Sequence, residues 1–223
     1  LFSVLCGALL LLVSYHSVRA LWPRRPALAL GTTAFIAFLP MRLAMSAGIN
    51  NDALAELLFG VVLLLLLRYL TRRAGAAPGG AQPCPTNDED HAGLPLTGFL
   101  AVGVVLGLLL ITKSSGYIAV PLAGAALLWG EVTDARPGRR PLAILRALAL
   151  VGAPALLLAA PWWLRNLAVY GGLDILGLGR HDAIVVGQLR TSDWIAQVGL
   201  GPALAGFART TFQSFWGQFG WMG

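Results

Sequence analysis

Long apolar runs broken by short polar punctuation set the pattern of this chain. Runs at about residues 1–20, 27–47, 53–70, 95–112, 115–131 and 142–164 each come near the roughly 20 residues a helix needs to cross hydrocarbon, and two are short enough to require bilayer thinning or snorkelling. The breaks are an Arg-Pro turn, the Gly48-Ile49-Asn50-Asn51-Asp52 turn, a Gly/Pro-rich loop at 74–94, a Thr-Lys-Ser-Ser turn and a basic loop at 132–141. Residues 165–206 are mostly polar and irregular and read as a loop. Beyond them Phe207, Phe212, Phe215, Trp216, Phe219 and Trp221 accumulate, which predicts a helix that lies in the interface or enters the membrane at 207–223. The pattern therefore predicts an all-α fold: a polytopic transmembrane helical bundle of about six spans, followed by an external loop.

Composition agrees with that class. Hydrophobic residues make up 57% of the chain and charged residues 12%, half the share expected of a soluble domain. The net charge of +6 does not point to nucleic acid, because the basic residues fall in short segments between apolar runs rather than along one soluble face. Cys6 lies in an apolar run and Cys84 in a polar loop, so no disulfide is expected, and no metal-type cysteine spacing occurs.

Counting cations on alternate sides orients the bundle. Arg19, Arg24, Arg25, Arg68, Arg72, Arg73, Arg136, Arg139, Arg140 and Arg146 share one side; Arg42, Lys113, Arg165, Arg180, Arg190 and Arg209 share the other. The richer side is expected to be cytoplasmic by the positive-inside rule. The amino end, the Asn-Asn-Asp turn, Lys113 and the loop after Arg165 then meet on the external face. The first residue already lies inside an apolar stretch with no basic segment before it, so the chain reads as a fragment whose first span and first external loop lie upstream.

Several residues on that face can carry chemistry. Asp52 and Glu56 stand at i and i+4, which puts two carboxylates on one helix face, able to hold a divalent cation or accept a proton. The same residues suit a structural role, with Asn51 or Asp52 capping the helix and Arg42 pairing with Glu56. Arg165 follows Pro161-Trp162-Trp163-Leu164; it is either the end of an interfacial anchor or a planar fork for a lipid phosphate. Lys113 either snorkels from a tight hairpin or contacts phosphate. Arg180-His181-Asp182 sets a base, an imidazole and a carboxylate in one loop, a weak signal alone. The acidic string Asp88-Glu89-Asp90-His91 sits in the Gly/Pro-rich loop and reads as a solvated segment.

The order Asn50-Asn51-Asp52, Leu110-Ile111-Thr112-Lys113, Pro161-Trp162-Trp163-Leu164-Arg165-Asn166, Arg180-His181-Asp182 and Phe215-Trp216-Gly217-Gln218-Phe219-Gly220-Trp221 resembles the polytopic GT-C glycosyltransferases. It is similar to their bacterial branch of protein O-mannosyltransferase-like and aminoarabinose-transferase-like proteins. The resemblance implies transfer of a sugar from a polyprenyl-phosphate donor to an acceptor on the external face of a bacterial plasma membrane. It implies that Asp52 and Glu56 act at the reacting centre, with Mg or Mn on Asp52 as an optional cofactor. Arg165, Lys113, Asn51, Arg180, His181 and Asp182 would contact substrate, and a further acidic residue would lie upstream of Leu1. Competing expectations are a transporter or lipid flippase, disfavoured by the lack of an internal repeat, and a noncatalytic membrane scaffold of the same fold.

Overall fold

The computed structural model describes residues 1–48, 51–75, 95–133, 138, 140–187 and 190–217. Among the described residues every regular element is helical. In chain order these are α1 (Phe2–Leu21), α2 (Pro26–Ala37), α3 (Pro40–Ala47), α4 (Asp52–Gly75), α5 (Leu96–Thr112), a 3-10 turn (Ser114–Ile118), α6 (Ala119–Val132), α7 (Arg140–Tyr170), α8 (Leu178–Ile184), α9 (Thr191–Val198) and α10 (Leu200–Phe215).

Four stretches are long and apolar enough to cross a membrane: α1, α4, the 3-10 turn with α6, and α7. A fifth results if α2 and α3 count as one span, although they meet at a 59° bend. The second apolar run is thus broken where one helix was predicted. Pro40 accounts for the break: it suits the first position of α3, and it pushes Leu39 into extended backbone, φ −63° and ψ 122°. Helix α5 is apolar but has 17 residues, about 25 Å at 1.5 Å per residue.

Other boundaries also move. The sixth run continues as helix to Tyr170 through Pro154 and Pro161, so Arg165 and Asn166 are helical rather than in a loop. The segment predicted as an irregular loop holds α8 and α9, and the terminal helix begins at Leu200 rather than near 207. Asn50, Cys84, the Asp88–His91 string, Phe219 and Trp221 lie outside the described residues.

The core forms where α4, α5, α6 and α7 meet, around Val62, Leu66, Tyr69, Val102, Leu106, Leu109, Leu127 and Val151. Many large apolar side chains point outward instead, such as Leu9, Leu12, Leu142 and Leu157, as lipid-facing surfaces do. Between α5 and α7 the contact depends on Gly103 and Gly107, one turn apart. A methyl on Gly103 would run into the Val151 carbonyl oxygen, and one on Gly107 would sit 2.9 Å from Leu158 Cβ. This is a small-xxx-small seam, in which missing side chains let two backbones approach.

Helices α1 and α4 run parallel, and their residues divide between two ends. At one end Gly7 lies beside Arg42 and Ser46 of α3. At the other, His16 and Arg19 gather with Arg68 and Arg72. Asp52, Glu56, Arg42 and Lys113 belong to the first end, Arg19, Arg68, Arg72 and Arg73 to the second, as the alternating cation count sorts them.

Candidate functional site

A cavity of about 620 Å³ lies between α1, α2, α3, α4 and the 3-10 turn. Its walls are apolar, with Leu10 and Val13 from α1, Ile36 from α2, Met41 from α3 and Phe59 and Leu63 from α4. Ser14 and Ser17 also face it, but each hydroxyl donates to a carbonyl one turn back, Leu10 and Val13, at 2.8 Å. Their protons are therefore used within α1. Lining residues run from Asp52 to Leu67 along α4, about 22 Å of helix. The charged lining residues Asp52, Glu56 and Lys113 lie together at one end.

Local structure fixes that end. The Asn51 carbonyl accepts the first helical bond of α4 from Ala55 N–H at 3.0 Å. Its side chain does not cap the helix; Nδ2 donates across to the Thr112 carbonyl at 2.6 Å and ties the start of α4 to the end of α5. Asp52 occupies the first turn, where a carboxylate suits the positive end of the helix dipole, and pairs with Lys113. Lys113 leaves α5 in extended backbone, φ −156° and ψ 139°, which swings its ammonium toward α4. Tyr117 of the following turn accepts a hydrogen bond from Trp163 Nε1 at 2.6 Å, holding the hairpin to α7.

Glu56 lies one turn further on and also lines the cavity, so the two carboxylates do share a face. Arg42 Nη1 stands 3.7 Å from Glu56 Oε2, while Arg42 Nη2 donates to the Gly7 carbonyl at 2.6 Å. One guanidinium thus joins α1, α3 and α4. Each carboxylate already faces a base, so this end is close to neutral. Among the described residues no group of three or more His, Cys, Asp or Glu gathers to hold a metal ion.

The remaining candidates lie elsewhere. Arg165 does not line the cavity. Its Nη1 donates to Asn166 Oδ1 at 3.0 Å and to the Tyr170 hydroxyl at 3.3 Å, and its guanidinium lies 5.2 Å from the Trp162 ring centroid. Buried Asn166 donates onward to the Ile175 carbonyl at 2.8 Å, so this cluster anchors the chain leaving α7. Arg180, His181 and Asp182 fall on α8, all exposed. Asp182 pairs with Arg190 at 3.0 Å and has His181 Nδ1 at 3.5 Å. The Arg180 backbone N–H donates to Asp174 at 2.8 Å, and that bond, with those of Gly179, Leu178 and Gly177, holds the Asp174 carboxyl below the usual carboxylate range.

Sequence reasoning missed one polar constellation, at the arginine-rich end. Buried Glu131 accepts from the Tyr69 hydroxyl at 2.8 Å and from Arg73 Nη2 at 2.7 Å. Tyr69 is itself fully enclosed and touches Gly130, where no side chain would fit. The available signal was Tyr69 and Arg73 at i and i+4 on α4, with a single acid closing the run of α6. The trio joins α4 to α6.

No family model, curated protein or solved structure matches this chain.

Proposed function

We propose that this chain forms the donor-binding part of a membrane glycosyltransferase that takes a sugar from a polyprenyl-phosphate carrier. One observation supports the reading above the others: a long apolar cavity that ends in paired acids and bases has the polarity profile of an amphiphile with an anionic head. The isoprenoid chain would lie against Leu10, Val13, Ile36, Phe59 and Leu63, with its phosphate at Lys113.

In the reaction an acceptor oxygen attacks the anomeric carbon, the carbon–oxygen bond to phosphate breaks, and the bonding pair leaves on the phosphate. Lys113 places positive charge where that negative charge develops. With phosphate engaging Lys113, Asp52 is the carboxylate beside it that takes the acceptor's proton. Lys113 takes precedence over Arg165 here, since Arg165 is engaged with Asn166, Trp162 and Tyr170 outside the cavity. No step requires a metal.

The test is sugar transfer from a labelled polyprenyl-phosphate donor in proteoliposomes. Asp52→Asn and Lys113→Ala are each expected to lower turnover by about 100-fold or more. Arg165→Ala is expected to stay within about three-fold of the parent, as a residue outside the reacting centre would. Parental turnover in both cavity variants would sink the assignment. A second reading has its own support: the interrupted pair α2–α3 lines the cavity, and broken helices of this kind line transporter sites. Lipid movement across the bilayer without sugar transfer would favour a flippase.

A further inference from the structure

The opposite end of the bundle carries a second, smaller cavity of about 260 Å³, lined by His16, Arg19 and Ala20 of α1 and Arg68, Thr71 and Arg72 of α4. Half-buried Arg19 and exposed His16, Arg68 and Arg72 line it, and among the described residues no carboxylate does. Glu131, the acid described at this end, is engaged by Arg73 and Tyr69 and does not line the cavity.

Among the described residues no acid in the lining answers these charges. Arg68 and Arg72 stand one turn apart on α4, a spacing at which like charges repel. The carboxyl ends of α1 and α4 offset part of that repulsion through their dipoles. Even so, buried Arg19 Nε–H has no hydrogen-bond acceptor among the described residues, its Nη1 donating to the Tyr15 hydroxyl at 3.2 Å. A phosphate group supplies what is missing, several anionic oxygens that match guanidinium forks.

The surface below the cluster identifies the carrier of that phosphate. His16 continues a stripe on α1 formed by Leu5, Leu9 and Leu12, at i, i+4, i+7 and i+11, and these leucines are 56%, 41% and 59% exposed. The stripe extends about 16 Å along the wall of the bundle from the mouth of the cluster. We infer that Arg19, Arg68 and Arg72 bind the headgroup of an anionic phospholipid whose acyl chains lie along Leu5, Leu9 and Leu12. Basic pockets between membrane helices recognise such headgroups. Free phosphate shares the headgroup chemistry but would leave the leucine stripe unused. The site lies at the far end of α4 from Asp52 and is independent of the proposed transfer reaction.

Native mass spectrometry of the full chain in a neutral detergent tests this, with phosphatidylglycerol, phosphatidylcholine or inorganic phosphate added. The parent is expected to retain phosphatidylglycerol at about ten-fold lower concentration than phosphatidylcholine, reflecting multiple charge-assisted contacts. Arg68→Gln/Arg72→Gln and, separately, Arg19→Gln should each reduce that preference by about five-fold or more, while Arg68→Lys/Arg72→Lys keeps most of it. Leu9→Gln/Leu12→Gln should weaken phosphatidylglycerol retention without restoring the neutral lipid. Circular dichroism checks that each variant is folded; if the double glutamine variant is not, Arg19→Gln carries the test. Equal retention of both lipids by the parent, or parental preference in folded glutamine variants, overturns the proposal. Displacement of phosphatidylglycerol by millimolar phosphate, with the leucine variant binding as the parent does, overturns the lipid assignment in favour of a free anion.

Discussion

Neighbouring residues Asn51 and Asp52 perform different tasks because one sits just outside a helix and the other in its first turn. Asn51 donates its side-chain amide to Thr112, whereas Asp52 pairs with Lys113 at the cavity. Asp174 shows the same dependence on backbone position. Its carboxylate gathers the N–H groups at the start of α8, and its protonation is held below the ordinary value near 3.9. A depressed folded-state value means the contact is complete above about pH 4 and is lost as pH falls through the lower, folded value. The Arg180 amide resonance should therefore shift on acidification below pH 4, and in Asp174→Asn it should not; an Arg180 shift that persists in Asp174→Asn refutes the assignment. Individual residues were only partly legible. Helical spacing put Asp52 and Glu56 on one face, and the structural alternative of an Arg42–Glu56 pair is present in the fold. Arg165 was harder to read, because its partner Tyr170 becomes available only when α7 continues past Pro161.

At the scale of elements, hydrophobic run length located the apolar helices, while contact between them depended on features that run length does not register. Gly103 and Gly107 look like neutral interruptions of an apolar segment, yet they set the approach of α5 to α7. Gly103→Leu places its Cβ against a backbone oxygen that no rotamer change can relieve. It should destabilise the bundle by about 1–3 kcal/mol, measured by unfolding in mixed micelles. Gly124→Leu, whose added Cβ meets nothing within 4 Å, is the control and should change stability little. A parental midpoint for Gly103→Leu would remove this seam as a determinant of packing. The bend between α2 and α3 was legible in principle at Pro40, but a proline inside an apolar run is tolerated in many membrane helices, and only local geometry shows that the chain breaks here. Helices α8 and α9 were obscured by glycines at 171, 172, 177, 187 and 199, all in left-handed or otherwise positive-φ backbone that punctuates short helices.

For the whole molecule, a bundle that crosses the membrane along α4 is expected to leave its two charged ends on opposite faces. Exposed Ser115 and Ala74 mark them. In a Cys6→Ser/Cys84→Ser background, Ser115→Cys and Ala74→Cys should react with an impermeant maleimide from opposite sides of oriented vesicles. Labelling of both from the same side would show that α4 does not cross. The restraints on α4 carry a mechanical consequence. Asn51, Asp52 and Glu56 tether its beginning to α5 and α3, and Arg73 with Tyr69 tethers its end to α6. Helix α4 is thus a strut clamped top and bottom, and it cannot tilt without severing charged contacts. The facing wall bends at Phe38 and Leu39; α2 packs along α1, while Arg42 of α3 holds the Gly7 carbonyl and faces Glu56. Moving α3 away from α4 therefore requires Arg42 to release both Glu56 and the Gly7 carbonyl, so one guanidinium is the hasp on that side of the cavity.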